Sequence, residues 1–441
     1  MDSPRTRSDS SVDTTFDAIV VGTGPGGASA GRELALRGAR VLFLEQGDAA
    51  PIAGTLTQMA ARAAVPGKGA FLHRDLSLLV RALTTGGTST INFATAAPPP
   101  AALFAAHSID LAPALRAWRA ELPLGPLPDE LVGPMATRIM TAARGLGLDW
   151  RKLDKMIRPA ACRTGCWRCV YGCPFGAKWS ARELVDDAVR SGAVLRPGAR
   201  VARVLLDGGR AAGVEAVVDG ALRRWHAPLV VLGAGGIGSP RLLAASGLMG
   251  GPATFFSDPV VTVMGSVDGL RGGAEVPMAA GAAAQADGIS YADLTLPQPM
   301  YQAFAAQAGR FDRLFAHART LSIMVKIRDE VGGRIGPRWV DKTLQPADRH
   351  KFARGVALAR SVLEQAGARH IFASHHFAAH PGGSVPIGEQ VGSDLQTTVG
   401  GLYVCDASVI PGPWGLPPTL TLLCLGRRLG WQLAGAAAEG A

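Results

Sequence analysis

No uncharged apolar run in the 441 residues approaches the roughly eighteen that a membrane-spanning helix needs. The stretch 227–238 is short and broken by glycine. The first fifteen residues, Met1–Thr15, lack the apolar core of a secretory signal and are rich in Ser, Thr, Asp and Arg, so they read as a disordered leader. These absences together predict a soluble, cytoplasmic protein. Charge is sparse, with 18% Asp, Glu, Lys and Arg against 48% apolar residues. A disordered tail and a small stapled scaffold are thereby excluded, and the length supplies core for two or three domains. No repeat or low-complexity linker divides the chain, so its parts are expected to pack as one rigid body. Lys and Arg exceed Asp and Glu by 45 to 35, a net charge of +10. No motif or basic-aromatic stripe accompanies that excess, so no nucleic-acid partner is expected. The charge belongs to a solvated Arg-rich surface or to an anionic ligand.

Glycine is abundant at 56 residues, with 30 prolines, which implies many loops and close backbone approaches. Near the N-terminus the glycines fall into a pattern. Asp17–Val21 is a largely apolar run of strand length, Gly22, Gly24 and Gly27 form G-x-G-x-x-G, and Ala28–Leu36 has helical character. A second apolar run, Val41–Leu44, ends in Glu45, eighteen residues after Gly27. This strand, turn, helix, strand and acid predict a dinucleotide site. The glycines admit backbone amides to a pyrophosphate, and the carboxylate accepts from ribose hydroxyls. An acid there favours an unphosphorylated ribose, which leaves FAD and NAD.

Further segments follow in order: TGGTSTINFA at 85–94, ARVARVLLDGGRAAGVEAV at 199–217, VVLGAGGIGSPRLLAASGLMG at 230–250, and a block from His380 that begins HPGG, passes Asp406-Ala407-Ser408 and ends in a helix from about Thr419. This collinear set resembles the glucose-methanol-choline (GMC) oxidoreductase family over about 16–429, and the resemblance implies FAD as cofactor. It places Gly86 and Gly87 against the isoalloxazine ring, with Asn92 at the family's Asn, and puts the Val201 backbone at the adenine. Ala234, Asp406, Ala407, Pro418 and Thr419 are further implied FAD contacts. In the third segment Ser239, Pro240, Leu242, Leu243, Ser246 and Gly247 fit the family signature, while Gly236 and Met249 depart from it.

Oxidising an alcohol with a flavin needs a base that is uncharged at neutral pH, which suits histidine. The resemblance assigns that role to His380. His375 and His376, just before it, read as structural, with lining of the pocket as the alternative for either. Many family members carry Asn or His shortly before the final helix, where this sequence has Pro417, which offers neither a side-chain donor nor a backbone N–H. The expected activity is oxidation of a primary or secondary alcohol, with hydride passing to the flavin and the proton to His380. Flavin-dependent desaturation or decarboxylation, and a non-catalytic electron-transfer flavoprotein, stand as alternatives. Oxygen, a quinone or a redox protein would accept the electrons.

Of six cysteines, Cys162, Cys166, Cys169 and Cys173 fall within twelve residues. The tail C-x2-C-x3-C-P has bacterial ferredoxin spacing and fits an iron–sulfur cluster. The same residues are similar to a segment of family members that act on long-chain alcohols and sterols, which fits a structural or thiol role. Zinc is a third reading, though the paired C-x2-C arrangement of structural zinc sites is missing.

The fold expected is α/β: a Rossmann-type FAD-binding domain with a parallel sheet, plus a smaller antiparallel-sheet substrate domain capped by helices. Laid on this chain, the family architecture gives a discontinuous FAD domain at 16–100, 160–253 and 385–441, a helical lid or cap at 101–159 and a substrate domain at 254–384. Leu321–Asp329 reads as a strand and Gln345–Ala366 as a helix. The apolar segment Phe71–Leu83 reads as a core helix before the flavin loop, or as a surface that meets a lipid-like alcohol or a membrane.

Overall fold

The computed structural model describes residues 15–282 and 287–439. The expected leader, except Thr15, lies outside the described residues. Ala18–Val21 and Val41–Leu44 form neighbouring parallel strands in which every residue is buried. Continuous apolar runs of this kind belong to strands covered on both faces. The sheet continues through Leu229–Leu232 to Leu402–Val404 on one side and to Val194–Arg196 on the other, all parallel. Five strands drawn from both ends and the middle of the chain thus make one nucleotide-binding sheet.

The helix Pro25–Ala35 crosses this sheet and packs against the last helix, Thr419–Glu439. Contact here is backbone on backbone. A Cβ built on Gly426 would lie 2.4 Å from the Gly26 carbonyl oxygen, and one on Gly26 would lie 2.2 Å from the Cys405 carbonyl oxygen. Ser29 Oγ donates to the Leu423 carbonyl at 2.9 Å across the same seam. Further along, buried Arg427 lies 3.5 Å above the Trp118 ring and pairs with Glu33 at 3.0 Å and Glu121 at 2.7 Å. Glu33 is thereby held ionised below the ordinary carboxylate range despite its burial, by hydrogen bonds from Arg37, Trp431 and Arg427.

The second sheet has nine strands, mostly antiparallel, built on Val260–Ser266 and Thr320–Ile327. Helix Pro346–Gln365 covers it, started by a capping box in which Gln345 and Asp348 exchange side-chain and backbone bonds. The strand and helix expected at 321–329 and 345–366 are therefore present. So is the hairpin at 199–217, formed by Arg200–Asp207 and Arg210–Val218 about a Gly208-Gly209 turn. Segment 101–159 holds helices Ala101–Ala105, Ala112–Glu121 and Pro134–Gly145, and its Arg151–Lys152 joins the edge of the large sheet.

Phe71–Leu83 is not a helix. It contains the hairpin Ala70–Leu72 and Leu78–Val80, which adds to the large sheet through a parallel pair, Leu78 with Phe377. Burial alternates: Phe71 and Leu79 point inward, while Leu72, Leu78 and the turn residue Leu76 are exposed. The period is two, the mark of a half-buried strand, and the dense leucines hide it. Among the described residues no helix is long and apolar enough to cross a membrane.

Because the Gly26 contact is with a carbonyl and not with a flexible side chain, Gly26→Ala must push helix and strand apart. We expect a loss of about 1–3 kcal/mol in urea unfolding, with no such loss for Gly250→Ser, where the backbone is not left-handed and a Cβ meets nothing within 4 Å.

Candidate functional site

At the C-terminal ends of the parallel strands lies a cavity of about 910 Å³, in the crevice where open α/β sheets bind ligands. Two helices aim their N-termini at it, Pro25–Ala35 after Gly24 and Gly235–Ala245 after Ala234. The first turn of each offers backbone N–H groups without intrahelical partners and the positive end of its dipole, as an anion requires, although Gly235 N is taken by Asp406.

The predicted residues Gly22, Gly24, Glu45, Gly87, Asn92 and Val201 line the cavity, as do Ala234, Asp406, Ala407, Pro418 and Thr419. Gly27 and Gly86 stand one step behind the wall. Gly86 adopts φ +90, a left-handed conformation that favours glycine, and its N–H donates to Thr23 Oγ1 at 3.1 Å. The loop that follows is thereby seated on the glycine turn. Asn92 anchors the far end of that loop, accepting from Ala94 N and donating to Thr419 Oγ1 at 3.4 Å.

Glu45 is buried, which pushes its carboxyl up. Its Oε2 accepts from Thr23 N and Oγ1, and its Oε1 from Gly47 N at 2.8 Å. With about four acceptor positions on a carboxylate, the oxygen carrying one bond keeps room for a hydroxyl donor. Asp406 has a local task as well: Oδ2 accepts from Gly235 N at 2.8 Å and from Ser239 Oγ, which fixes the start of the second helix.

Cations on the same wall escaped the sequence reading. Lys68, Arg81, Arg200, Arg241 and Arg338 line the cavity against two carboxylates, Glu45 and Asp406. Arg81 is held by the carbonyls of Lys68 at 2.7 Å and Ala234 at 3.3 Å, and burial beside Arg241 pulls its guanidinium down to about 10. Arg81 and Arg241 flank the Phe71 ring at 5.8 and 5.4 Å. Part of the surplus positive charge is therefore gathered where a pyrophosphate would sit.

His380 lines the cavity, alone among the nine histidines. Its Nδ1 faces Asp258 Oδ2 across 3.5 Å, and neither atom has another hydrogen-bond partner. Asp258 Oδ1 accepts from Gly415 N at 2.7 Å, and Lys326 Nζ stands 4.0 Å from Oδ2. Burial pushes the imidazole below its ordinary pKa. Asp258 and Lys326 carry no motif and become visible only through contact. Gly236, a departure from the expected signature, has a steric reason: a Cβ there would lie 2.0 Å from the Pro381 carbonyl oxygen. Pro417 itself is absent from the wall, where Pro418 stands. His375 and His376 lie away from the cavity, at Asp75, with the first donating to the Asp75 carbonyl at 2.9 Å.

Cys162, Cys166, Cys169 and Cys173 are free thiols around a second, much smaller cavity. Burial pushes the Cys162 thiol up to about 11 and raises that of Cys169 as well.

Residues 16–255, more than half of the chain, match the GMC oxidoreductase family. An uncharacterized GMC-type oxidoreductase of Mycobacterium tuberculosis is 32% identical over 267 residues, covering 54% of this chain and 40% of its own length. This chain thus spans about two fifths of that relative. A long-chain-alcohol oxidase of Arabidopsis thaliana is 24% identical over 94% of this chain and 66% of its own length. Among solved structures, pyridoxine 4-oxidase from Mesorbium loti superposes with a TM-score of 0.74 at 18% identity, over 94% of this chain and 98% of the other. Formate oxidase of Aspergillus oryzae gives 0.70 at 16%, over 97% and 99%. The match over more than half of the sequence is the finding that decides the family, and the chain belongs to the GMC oxidoreductases.

Proposed function

We propose that the chain binds FAD in the large cavity and oxidises a primary or secondary alcohol to the aldehyde or ketone, with His380 as the base. The donor set fits the cofactor. Helix N-termini and Arg81 suit the pyrophosphate, Glu45 the ribose, and the Gly86–Asn92 loop the ring. In this reading 16–100, 160–253 and 385–441 hold the cofactor, and 254–384 brings His380 and the substrate side. Bound FAD supplies the hydride acceptor.

The chain's own residues supply the proton chemistry. Burial keeps the His380 imidazole neutral at pH 7, so it is ready to accept. With Nδ1 turned to Asp258, Nε2 is the nitrogen left for the substrate hydroxyl. Once protonated, the ring is a cation, and the Asp258 carboxylate at 3.5 Å stabilises it while Gly415 N holds that carboxylate in place. This pair supplies a polar partner that the residue at Pro417 does not. The observation that carries the reading is the placement of His380 on the cavity wall with a carboxylate oxygen behind it, Asp258 Oδ2, that has no other hydrogen-bond partner. Chemistry on a carbon–carbon bond rests on Pro417 alone.

His380→Ala should retain FAD yet reduce it with alcohol about 10²–10⁴-fold more slowly, read as anaerobic bleaching in an alcohol and polyol screen. Undiminished bleaching in the variant would remove His380 as base, and the absence of bleaching of the unaltered protein by every alcohol tried would favour the carbon–carbon readings. Repeating the screen with oxygen, a quinone and a dye identifies the acceptor. The pH profile has a defined sign. A base whose pKa is depressed stays neutral further into acid, so the acid limb of kcat/KM should fall below the ordinary value of about 6.5. A limb at or above that value contradicts the role given to burial.

A further inference from the structure

A further cluster of chemistry-bearing side chains lies off both cavities, where the hairpin Ala70–Leu72 and Leu78–Val80 meets the strand Phe377–Ala378. One ring nitrogen of His375, one of His376 and a carboxylate oxygen of Asp75 lie within 4.8 Å of one another. Asp75 Oδ2 stands 3.2 Å from His376 Nε2. Tetrahedral bonds of about 2.0–2.1 Å put two ligand atoms about 3.3 Å apart, so this pair already has the spacing of one edge. Neighbouring residues of a regular strand point to opposite faces, yet the two imidazoles have ring centroids only 4.6 Å apart. The backbone arranges this. On the strand Val260–Ser266, Val263 pairs with Ala373 and Val260 with Phe377, so three residue steps there match four here. The extra residue makes a β-bulge, a device that re-aims side chains. Ser374 pins it, its N–H donating to the Thr262 carbonyl at 2.9 Å and its Oγ accepting from Thr262 N at 3.0 Å.

Two of the three groups are also held from behind. Asp75 Oδ1 accepts from Ser77 N at 3.1 Å and from Ser77 Oγ at 2.6 Å, which leaves Oδ2 to the histidines. His375 donates through Nε2 to the Asp75 carbonyl at 2.9 Å, so its Nδ1 keeps the lone pair that a metal needs. Bonds of this kind, made by the atom that a ligand does not use, are how metal sites orient their donors. Among the described residues no lysine or arginine pairs with Asp75. A hydrogen bond between Asp75 and one histidine requires neither the second imidazole nor the bulge that delivers it. We propose that Asp75, His375 and His376 bind a divalent metal ion of the zinc class, with water at the fourth position. Two imidazoles and one carboxylate suit Zn²⁺ and its first-row neighbours, whereas Mg²⁺ and Ca²⁺ prefer oxygen alone. The ion ties the hairpin turn to the strand beside it, where the backbone supplies just two pairs, Leu78 with Phe377 and Leu79 with Ala378. Arg81 follows the hairpin and His380 follows the strand, and both line the large cavity. The site is therefore a clamp on the cavity wall, remote from the chemistry.

The test is a titration of the full chain, carrying FAD and stripped of metal by a chelator, with Zn²⁺ alone. Thiols also attract zinc, so the count is compared between chains. The unaltered protein should bind one zinc ion more than Asp75→Asn, and one more than the double variant His375→Gln, His376→Gln. Equal counts in all three overturn the site. X-ray absorption of the unaltered protein at zinc saturation needs no variant to fold. It should show imidazole nitrogen at about 2.0–2.1 Å from the metal, and a shell of sulfur alone overturns the assignment. Ser77→Ala should weaken this zinc about 10–100-fold, since it removes a bond that orients Asp75, and an unchanged Kd removes Ser77 from the site. Saturating zinc should raise the Tm of the unaltered protein more than that of Asp75→Asn, and an equal rise in both contradicts the clamp. None of the three ligands lines the large cavity, so failure here leaves the proposed oxidation standing.

Discussion

The whole cavity hangs on one contact, the seam where the first helix meets the last and glycines bring backbone onto backbone. Gly26 and Gly426 let the two backbones touch, and the same glycine brings the strand end at Cys405 against the nucleotide turn. That approach places Asp406 where it can fix the start of the helix Gly235–Ala245, so both dipoles converge on one space. Thr419 then reaches Asn92 from the start of the last helix. The glycine turn, the loop Gly86–Asn92 and the C-terminal block are thus aligned by one steric condition, and the Arg427 cluster on Trp118 locks the far end.

The chemistry makes a different demand on the fold: buried polar groups must be useful without collapsing into pairs. Asp258 and His380 meet at a distance too long for a closed hydrogen bond, with Lys326 behind. Open valence of that kind leaves the imidazole responsive to a substrate proton. Lys155 and Lys178 are the opposite case. Each spends its donors on carbonyls and none on a carboxylate, which fixes loop geometry at the expense of an uncompensated charge.

Much of this was legible in the residues. The strand, glycine turn, helix, strand and acid from Asp17 to Glu45 appear as read, because glycine spacing and apolar runs are local signals. The hairpin at 199–217 and the helix at 345–366 follow for the same reason. His380 reached the cavity as the resemblance implied. What stayed hidden depends on partners remote in sequence. Leu72 and Leu78 alternate with inward residues, yet the density of leucines imitates a core helix, and the hairpin pairing together with Phe377 makes the segment strand. Arg81 and Arg241 converge from distant segments on Phe71, and Asp258 is recognised only once its carboxylate is seen behind His380. Glu45 and Asp406 were found as cavity residues, but their bonds within their own loops carry no sequence mark.

The order of strands in the nucleotide sheet carries a consequence for the chain as it is made. Ala18–Val21 leaves the ribosome early, yet one neighbour, Leu229–Leu232, arrives some two hundred residues later, and the sheet closes only with Leu402–Val404. Such long-range pairing is slow, and until it completes the apolar strand edges stand open. The glycine turn is therefore translated well before the strands that complete the sheet around it. A ligand that needs the closed sheet meets a chain in which Leu402–Val404 has already been added, and a chaperone has the length of that interval to guard.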